Sequence, residues 1–177
     1  DTGLNAINKP GGQHVLNDEY FKRIEAINYT LEHDDGEGQK NLELADVIIV
    51  GVSRTSKTPT CIYLANKGIK AANYPLVPDI GVSKELDEVK SPTVVALITS
   101  AQTLVEIRRK RSLELGLKDK ETDYINVHKV EEEIIAAKRI FANKGWPVID
   151  ITRRSVEETA SAIMNIISLK EKKENEQ

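Results

Sequence analysis

One cysteine, Cys61, stands among 177 residues, so no disulfide can close within the chain. Zinc sites built from four thiolates, or from two thiolates and two imidazoles, are excluded by count. Such poverty in cysteine points to a reducing compartment. Long apolar runs are missing too: nothing approaches the ~20 residues needed to cross a bilayer, and the amino terminus has no basic-then-apolar leader pattern. Neither charge dominates. Lys plus Arg number 25 against 28 Asp plus Glu, a net of −3, which gives no chain-wide attraction to nucleic acid or an acidic membrane. No internal repeat is present. The expectation is a cytoplasmic, soluble chain whose length suits one domain, since domains run roughly 100–200 residues.

The chain opens at Asp1 without an initiator methionine, and residues 1–16, rich in Gly and Asn, show no apolar periodicity. They read as a linker remnant. Residues 169–177 are almost wholly charged or amide and read as a frayed, solvated tail, leaving 17–168 as the folded domain. Inside it, Tyr20, Ile24, Ile27 and Leu31 recur at helical spacing after a cap at Asn17, and the helix ends at His33-Asp34-Asp35-Gly36. A short β-branched run over 46–50 has the signature of a strand buried on both faces. A helix over 58–67 follows, with Pro59 in its first turn and Gly68 at its end. Further strands are predicted over 69–74, 93–98 and 147–151. Helices are predicted over 102–115, around Val127 to Phe141 up to Gly145, and from Ser155, where Ser155 and Glu158 form a capping box. This alternation favours a parallel sheet with helices on its faces, an α/β fold.

Between the first strand and the Pro59 helix lie Gly51, Val52, Ser53, Arg54, Thr55, Ser56, Lys57 and Thr58. A turn there presents backbone N–H groups and the positive helix end to phosphate; Lys57 adds a cation, and Thr58 offers a hydroxyl to Mg²⁺. Ser56 replaces the second glycine of the usual G-x-x-x-x-G-K-[ST] pattern, so it must accept a backbone conformation that glycine takes freely. The strand over 93–98 runs into Thr99-Ser100 and supplies no metal-binding aspartate. Asp34 and Asp35 are therefore the candidate pair for metal binding and proton transfer, or else a plain helix-ending turn. Arg153 and Arg154 follow a strand's carboxyl end, the edge where α/β sheets hold ligands, and a guanidinium fork suits phosphate. Arg108 and Arg111 are helical neighbours, read either as a solvated face or as a lid and docking surface. Asp150 is either a network residue or a metal ligand. Cys61 and Met164 read as core, Trp146 as a loop-packing residue, and His33 as structural before catalytic; His14 is set aside.

His33-Asp-Asp-Gly36, the run from Gly51 to Thr60, Ile62-Tyr-Leu-Ala65, Ala72-Asn-Tyr-Pro75, Ile107-Arg108 with Arg111, and the run from Asp150 to Thr159 together resemble the pyruvate, phosphate dikinase regulatory proteins. The resemblance runs from Gln13 to Ile167, and the family's amino-terminal region has no counterpart here. It implies a P-loop kinase-like fold and a bifunctional activity. ADP would phosphorylate an active-site threonine of the dikinase, and inorganic phosphate would remove that group as pyrophosphate. Gly51 to Thr58 would then cradle ADP or phosphate, with Lys57 neutralising transferring oxygens and Thr58 helping to hold Mg²⁺. The Ser-Lys-Thr loop sits closer to the dikinase branch than to the sister branch acting on phosphoenolpyruvate synthase. A P-loop small-molecule kinase and an inert nucleotide-binding module are the rival readings, and a homo-oligomer is compatible with the sequence.

Overall fold

In the computed structural model the described residues are 12–34, 41–116 and 123–176, with side chains described from residue 18 onward. Helix α1 spans Gly12–Glu32, and strand β1 spans Val47–Gly51, followed by α2 Lys57–Asn66, β2 Ala71–Pro75, the short α3 Lys84–Asp87 and β3 Thr93–Ile98. The chain continues through α4 Ala101–Glu114, α5 Val127–Lys144, β4 Val148–Asp150 and α6 Val156–Asn175. All strand pairs are parallel and the sheet order is β2-β1-β3-β4. The chain thus leaves β1 toward one neighbour and returns to the other, which makes the carboxyl end of β1 a switch point of the kind that holds ligands.

Strand β1 is buried from Val47 to Val50 because both of its faces are covered. Ile48 and Val50 point into one core with Leu104, Val130 and Phe141 of α4 and α5. Val47 and Ile49 point into the other with Cys61 and Leu64 of α2 and Ile163 of α6. Period-two alternation across two apolar layers leaves no polar face on the strand.

Strand β2 is the sheet edge, where unpaired backbone groups need cover. The end of α1 supplies it. Thr30 Oγ1 donates to the Ala71 carbonyl at 2.9 Å and accepts from the Ala71 N–H at 3.2 Å, and the Asn73 N–H donates to the His33 carbonyl at 2.9 Å. This seal delivers Asp34, the next residue, to the carboxyl edge of the sheet. Helix ends follow local chemistry: Asn126, Ser100 and Ser155 cap α5, α4 and α6, the last with the reciprocal Glu158 bond of a capping box. Gly145 closes α5 at φ 66°.

Three expectations are corrected. The first helix begins at Gly12, so Asn17 lies inside it rather than capping it, and residues 12–16 are helix rather than linker. Its buried residues are Ala26, Tyr29 and Thr30, with His33 just past its end, whereas Tyr20, Ile24 and Leu31 are exposed and Ile27 is half-buried; the 4-3-4 apolar spacing read there lies mostly on the outer face. The charged end continues α6 to Asn175, held where Lys170 Nζ donates to the Ser91 and Pro92 carbonyls at 2.5 and 3.2 Å. Charge alone does not unwind a helix whose start is capped and whose stem is packed. Sequence patterning missed α3, too short to show a period. No helix among the described residues is long and apolar enough to cross a membrane.

Candidate functional site

The loop after β1 turns over a glycine that cannot be larger. A Cβ on Gly51 would stand 2.6 Å from Thr55 Oγ1 and 2.9 Å from the Leu97 carbonyl oxygen. Thr55 is fully buried, and its hydroxyl donates to the Val52 carbonyl at 2.9 Å. Two residues after Gly51 adopt left-handed backbone without being glycine: Arg54 at φ 73° and Ser56 at φ 54°. Ser56 therefore takes the conformation that its place in the phosphate-loop pattern requires. It immediately precedes α2, whose first-turn N–H groups have no intrahelical acceptors and form the positive end of the helix.

Lys57 is 6 % exposed and donates from Nζ to the Val52 carbonyl at 3.0 Å, folding its ammonium back over the loop. Ser53, Arg54, Thr55, Ser56, Lys57, Thr58 and Pro59 line a cleft of about 310 Å³ together with Asn73, Pro75 and Ile107. Asn73 and Pro75 come from β2, and Ile107 comes from α4. The sequence placed all three inside stretches resembling the family, yet singled none out, because strand residues and an apolar helix residue carry no chemical signal alone.

Asp34, delivered by the edge seal, reaches two of the residues that line this cleft. Its Oδ1 accepts from the Thr58 hydroxyl at 3.0 Å and from Asn73 Nδ2 at 2.7 Å. Asn73 Nδ2 also donates to Thr58 Oγ1 at 2.9 Å. A carboxylate only accepts, so the nitrogen of the Asn73 amide must be the end that faces Asp34. The result is a closed triangle of carboxylate, hydroxyl and amide beside the lysine. Hydroxyl and carboxylate oxygens are the hard donors that Mg²⁺ takes, usually with few protein ligands and several waters, so Thr58 and Asp34 fit a divalent cation. Asp35 lies outside the described residues. His33 is buried, stacks on Tyr29 at 3.9 Å between ring centroids and has Nδ1 at 2.8 Å from the Tyr29 carbonyl, a packing role.

Arg108 is not on a surface, contrary to the lid and docking expectation. Its side chain is 2 % exposed and grips Glu133 with both terminal nitrogens, at 2.7 and 2.9 Å. It also donates to the Ser53 carbonyl at 3.2 Å and to the Tyr124 carbonyl at 3.3 Å, with its guanidinium 4.5 Å from the Tyr124 ring centroid. The helix turns Arg108 inward between α4, α5 and the loop, whereas Arg111 stays exposed beside Glu114. Arg153 and Arg154 are exposed residues after β4, at the same sheet edge as the loop but not among those lining its cleft. Asp150 is a network residue: its Oδ1 accepts from the Thr152 N–H and hydroxyl at 2.9 and 2.5 Å, bonds that hold its carboxyl below the usual range. Thr152 Oγ1 accepts in turn from the Ser100 N–H at 3.0 Å, tying β4 to the end of β3.

Cys61 is fully buried on α2. Burial, and secondarily the Asp34 charge, push its thiol far above the usual range, against the opposing pull of Lys57, which suits core packing and not nucleophilic attack. Among the described residues no group of three or more His, Cys, Asp or Glu could hold a metal ion by itself. Trp146 packs beside Phe141, and Met164 lies partly buried against the second core.

Residues 1–164 match the kinase/pyrophosphorylase family. A Caulobacter vibrioides protein named as a pyruvate, phosphate dikinase regulatory protein is 55% identical over 166 residues, 94% of this chain and 52% of its own length. A protein of the same name from Sphingopyxis alaskensis is 52% identical over 165 residues, 93% of this chain and 61% of its own. Another, from Rhodopseudomonas palustris strain BisB18, is 46% identical over 174 residues, 98% and 62% of the two chains. This chain thus spans between about half and three fifths of the curated relatives' length.

Proposed function

The chain belongs to the kinase/pyrophosphorylase family, and from that premise we propose that it serves a bifunctional regulator of pyruvate, phosphate dikinase. In one direction the hydroxyl oxygen of a dikinase threonine attacks the β-phosphorus of ADP; the P–O bond to the α-phosphate side breaks and AMP leaves. In the other, an oxygen of inorganic phosphate attacks the phosphorus of phosphothreonine, and pyrophosphate and the free threonine result. Both are in-line phosphoryl transfers that need charge neutralisation and alignment more than covalent chemistry.

The observation that carries this reading is the juxtaposition of a cleft-lining, phosphate-type loop bearing Lys57 and Thr58 with the Asp34 carboxylate that Thr58 bonds. The N–H groups at the start of α2 bind ADP or phosphate, and Lys57 neutralises the transferring oxygens. Thr58 and Asp34 would hold Mg²⁺, which when bound supplies charge neutralisation between phosphate oxygens. With Asp34 committed to Thr58, its neighbour Asp35 is assigned the threonine proton. Arg153 and Arg154, at the same sheet edge, are assigned the approach of the incoming phosphate or phosphothreonine. With no activated cysteine near the loop, inorganic phosphate is the attacking group in the reverse direction.

The test is a phosphoryl-transfer assay of the complete gene product with dikinase and, separately, phosphoenolpyruvate synthase, each offered ADP, ATP or inorganic phosphate, with Lys57→Ala alongside. Support is ADP-dependent labelling of the dikinase, phosphate-dependent loss of the label with one pyrophosphate per group removed, and loss of both in the variant. Use of ATP on small molecules would install a metabolite kinase instead, and phosphate-independent release would make water the nucleophile.

A further inference from the structure

Asn73 is 4 % exposed, and although its amide nitrogen is doubly used, its Oδ1 is buried with no hydrogen-bond partner among the described residues. An orphaned buried acceptor forfeits roughly 1–3 kcal/mol, and such atoms in native folds call for an explanation, commonly an ion or water. Turning the amide over does not relieve it, because the oxygen would then face the Asp34 carboxylate at 2.7 Å. The orphan is therefore fixed by the same triangle that fixes Asp34 and Thr58. Asn73 is also tied from behind by its N–H bond to the His33 carbonyl, so it cannot drift from the cleft it lines.

We propose that Asn73 is a positioning residue for the divalent cation of this cleft, an inference that rests on the nucleotide reading above. Its Nδ2 holds the Asp34 carboxylate and the Thr58 hydroxyl in one geometry. Its Oδ1, buried and without a hydrogen-bond partner among the described residues, is the cost of keeping the amide turned this way. Groups that orient a metal's ligands by hydrogen bonding contribute to its affinity even without touching it.

The test measures Mn²⁺ binding by electron paramagnetic resonance, on the complete gene product with and without ADP, for wild type, Asn73→Leu and Asn73→Ala. Leucine is close in shape to asparagine, so it separates packing from hydrogen bonding, and a thermal melt shows that each variant is folded. Outer-shell substitutions weaken metal binding by about 10–100-fold; the expected result is a Mn²⁺ Kd raised about tenfold or more in both variants, with metal-free ADP affinity changed less than about threefold. A Mn²⁺ Kd in Asn73→Leu within about twofold of wild type, while wild type binds Mn²⁺ and ADP, overturns the assignment and leaves the nucleotide reading standing. Rescue by Leu of a defect seen in Ala would reduce Asn73 to packing and overturns it as well. Wild type that binds neither ADP nor Mn²⁺ overturns both readings together. Weakened Mn²⁺ binding in a protein that fails to phosphorylate dikinase supports the assignment and sinks only the partner.

Discussion

Removing Glu133 should harm this protein more than removing its partner Arg108, although the two make the same pair of bonds. Arg108 is 2 % exposed and Glu133 is 26 % exposed. Glu133→Ala leaves a guanidinium that cannot deprotonate, its remaining partners among the described residues being the neutral carbonyls of Ser53 and Tyr124 and the Tyr124 ring. An uncompensated buried charge of this kind costs about 3–5 kcal/mol. Arg108→Met keeps the apolar stem that packs under the loop and leaves a carboxylate that water can reach, so the loss should be near 1–2 kcal/mol. The double variant Arg108→Met with Glu133→Leu removes both charges and should recover most of what Glu133→Ala loses, since buried pairs are often replaceable by well-packed apolar groups. For a chain of this size, each kcal/mol moves Tm by about 2–4 °C, so Glu133→Ala should melt about 6–20 °C lower and Arg108→Met about 2–8 °C lower. Urea unfolding with an unchanged slope gives the free energies directly. An Arg108→Met loss equal to or above that of Glu133→Ala, or a double variant no better than Glu133→Ala, would refute the burial argument.

Ser56→Gly should be tolerated, because relief of a left-handed serine at φ 54° is worth about 1 kcal/mol and the added freedom of the unfolded chain returns a similar amount. Tm within about 4 °C and ADP affinity within about threefold are expected, and titration calorimetry showing loss of binding would give the serine a specific task. Asp34→Asn should lower the rate of transfer from ADP by at least about tenfold while ADP Kd moves less than about threefold, since a metal-side carboxylate acts mainly in the transition state; equal changes in both would assign it to ground-state binding. Glu43 accepts from Ser91 Oγ at 2.6 Å and from the Lys90 and Ser91 N–H groups, each at 2.9 Å, bonds led by the Ser91 hydroxyl that hold its carboxyl below the ordinary range. The ionised form is favoured by folding, so its contribution is full above about pH 4.5 and fades as pH falls through the lowered value. Wild type should therefore lose more stability than Glu43→Gln on acidification below about pH 4.5, and parallel curves would remove Glu43 as the cause.

The sheet was legible because its signal is local and strong. Strand β3 falls on its predicted span, and the β-branched run of β1 is buried on both faces, since a run of Val and Ile with no polar member can only be buried twice. The Ser155 capping box and the Gly145 stop also depend on residues close in sequence. Helix α1 misled for a related reason: periodicity reveals that a helix has an apolar stripe but not which way the stripe faces. Its buried residues are Ala26, Tyr29 and Thr30, one of them a hydroxyl that bonds the Ala71 backbone, because an edge strand has to be covered by hydrogen-bonding groups as well as by apolar ones.

The loop from Gly51 to Thr58 could be read because its residues are consecutive; its partners could not. Thr58 meets Asp34 across 24 positions, and Asn73 meets Asp34 across 39. Neither separation corresponds to a helical or strand period, so no pattern announces the triangle. What creates it is the need of β2 to cover its outer edge: the Thr30 hydroxyl and the His33 carbonyl meet that need, and the residue after His33 is then obliged to arrive beside the loop. A carboxylate whose place is set by sealing a sheet edge is held more firmly than one on a free turn, because moving it would expose the Ala71 and Asn73 backbone groups. Arg108 follows the same logic from the other side, fixing the Ser53 carbonyl through a bond that spans 55 positions. In this fold the chemistry-bearing loop is short and local, while the groups that aim it are supplied by elements whose first task is to complete the sheet and its cores.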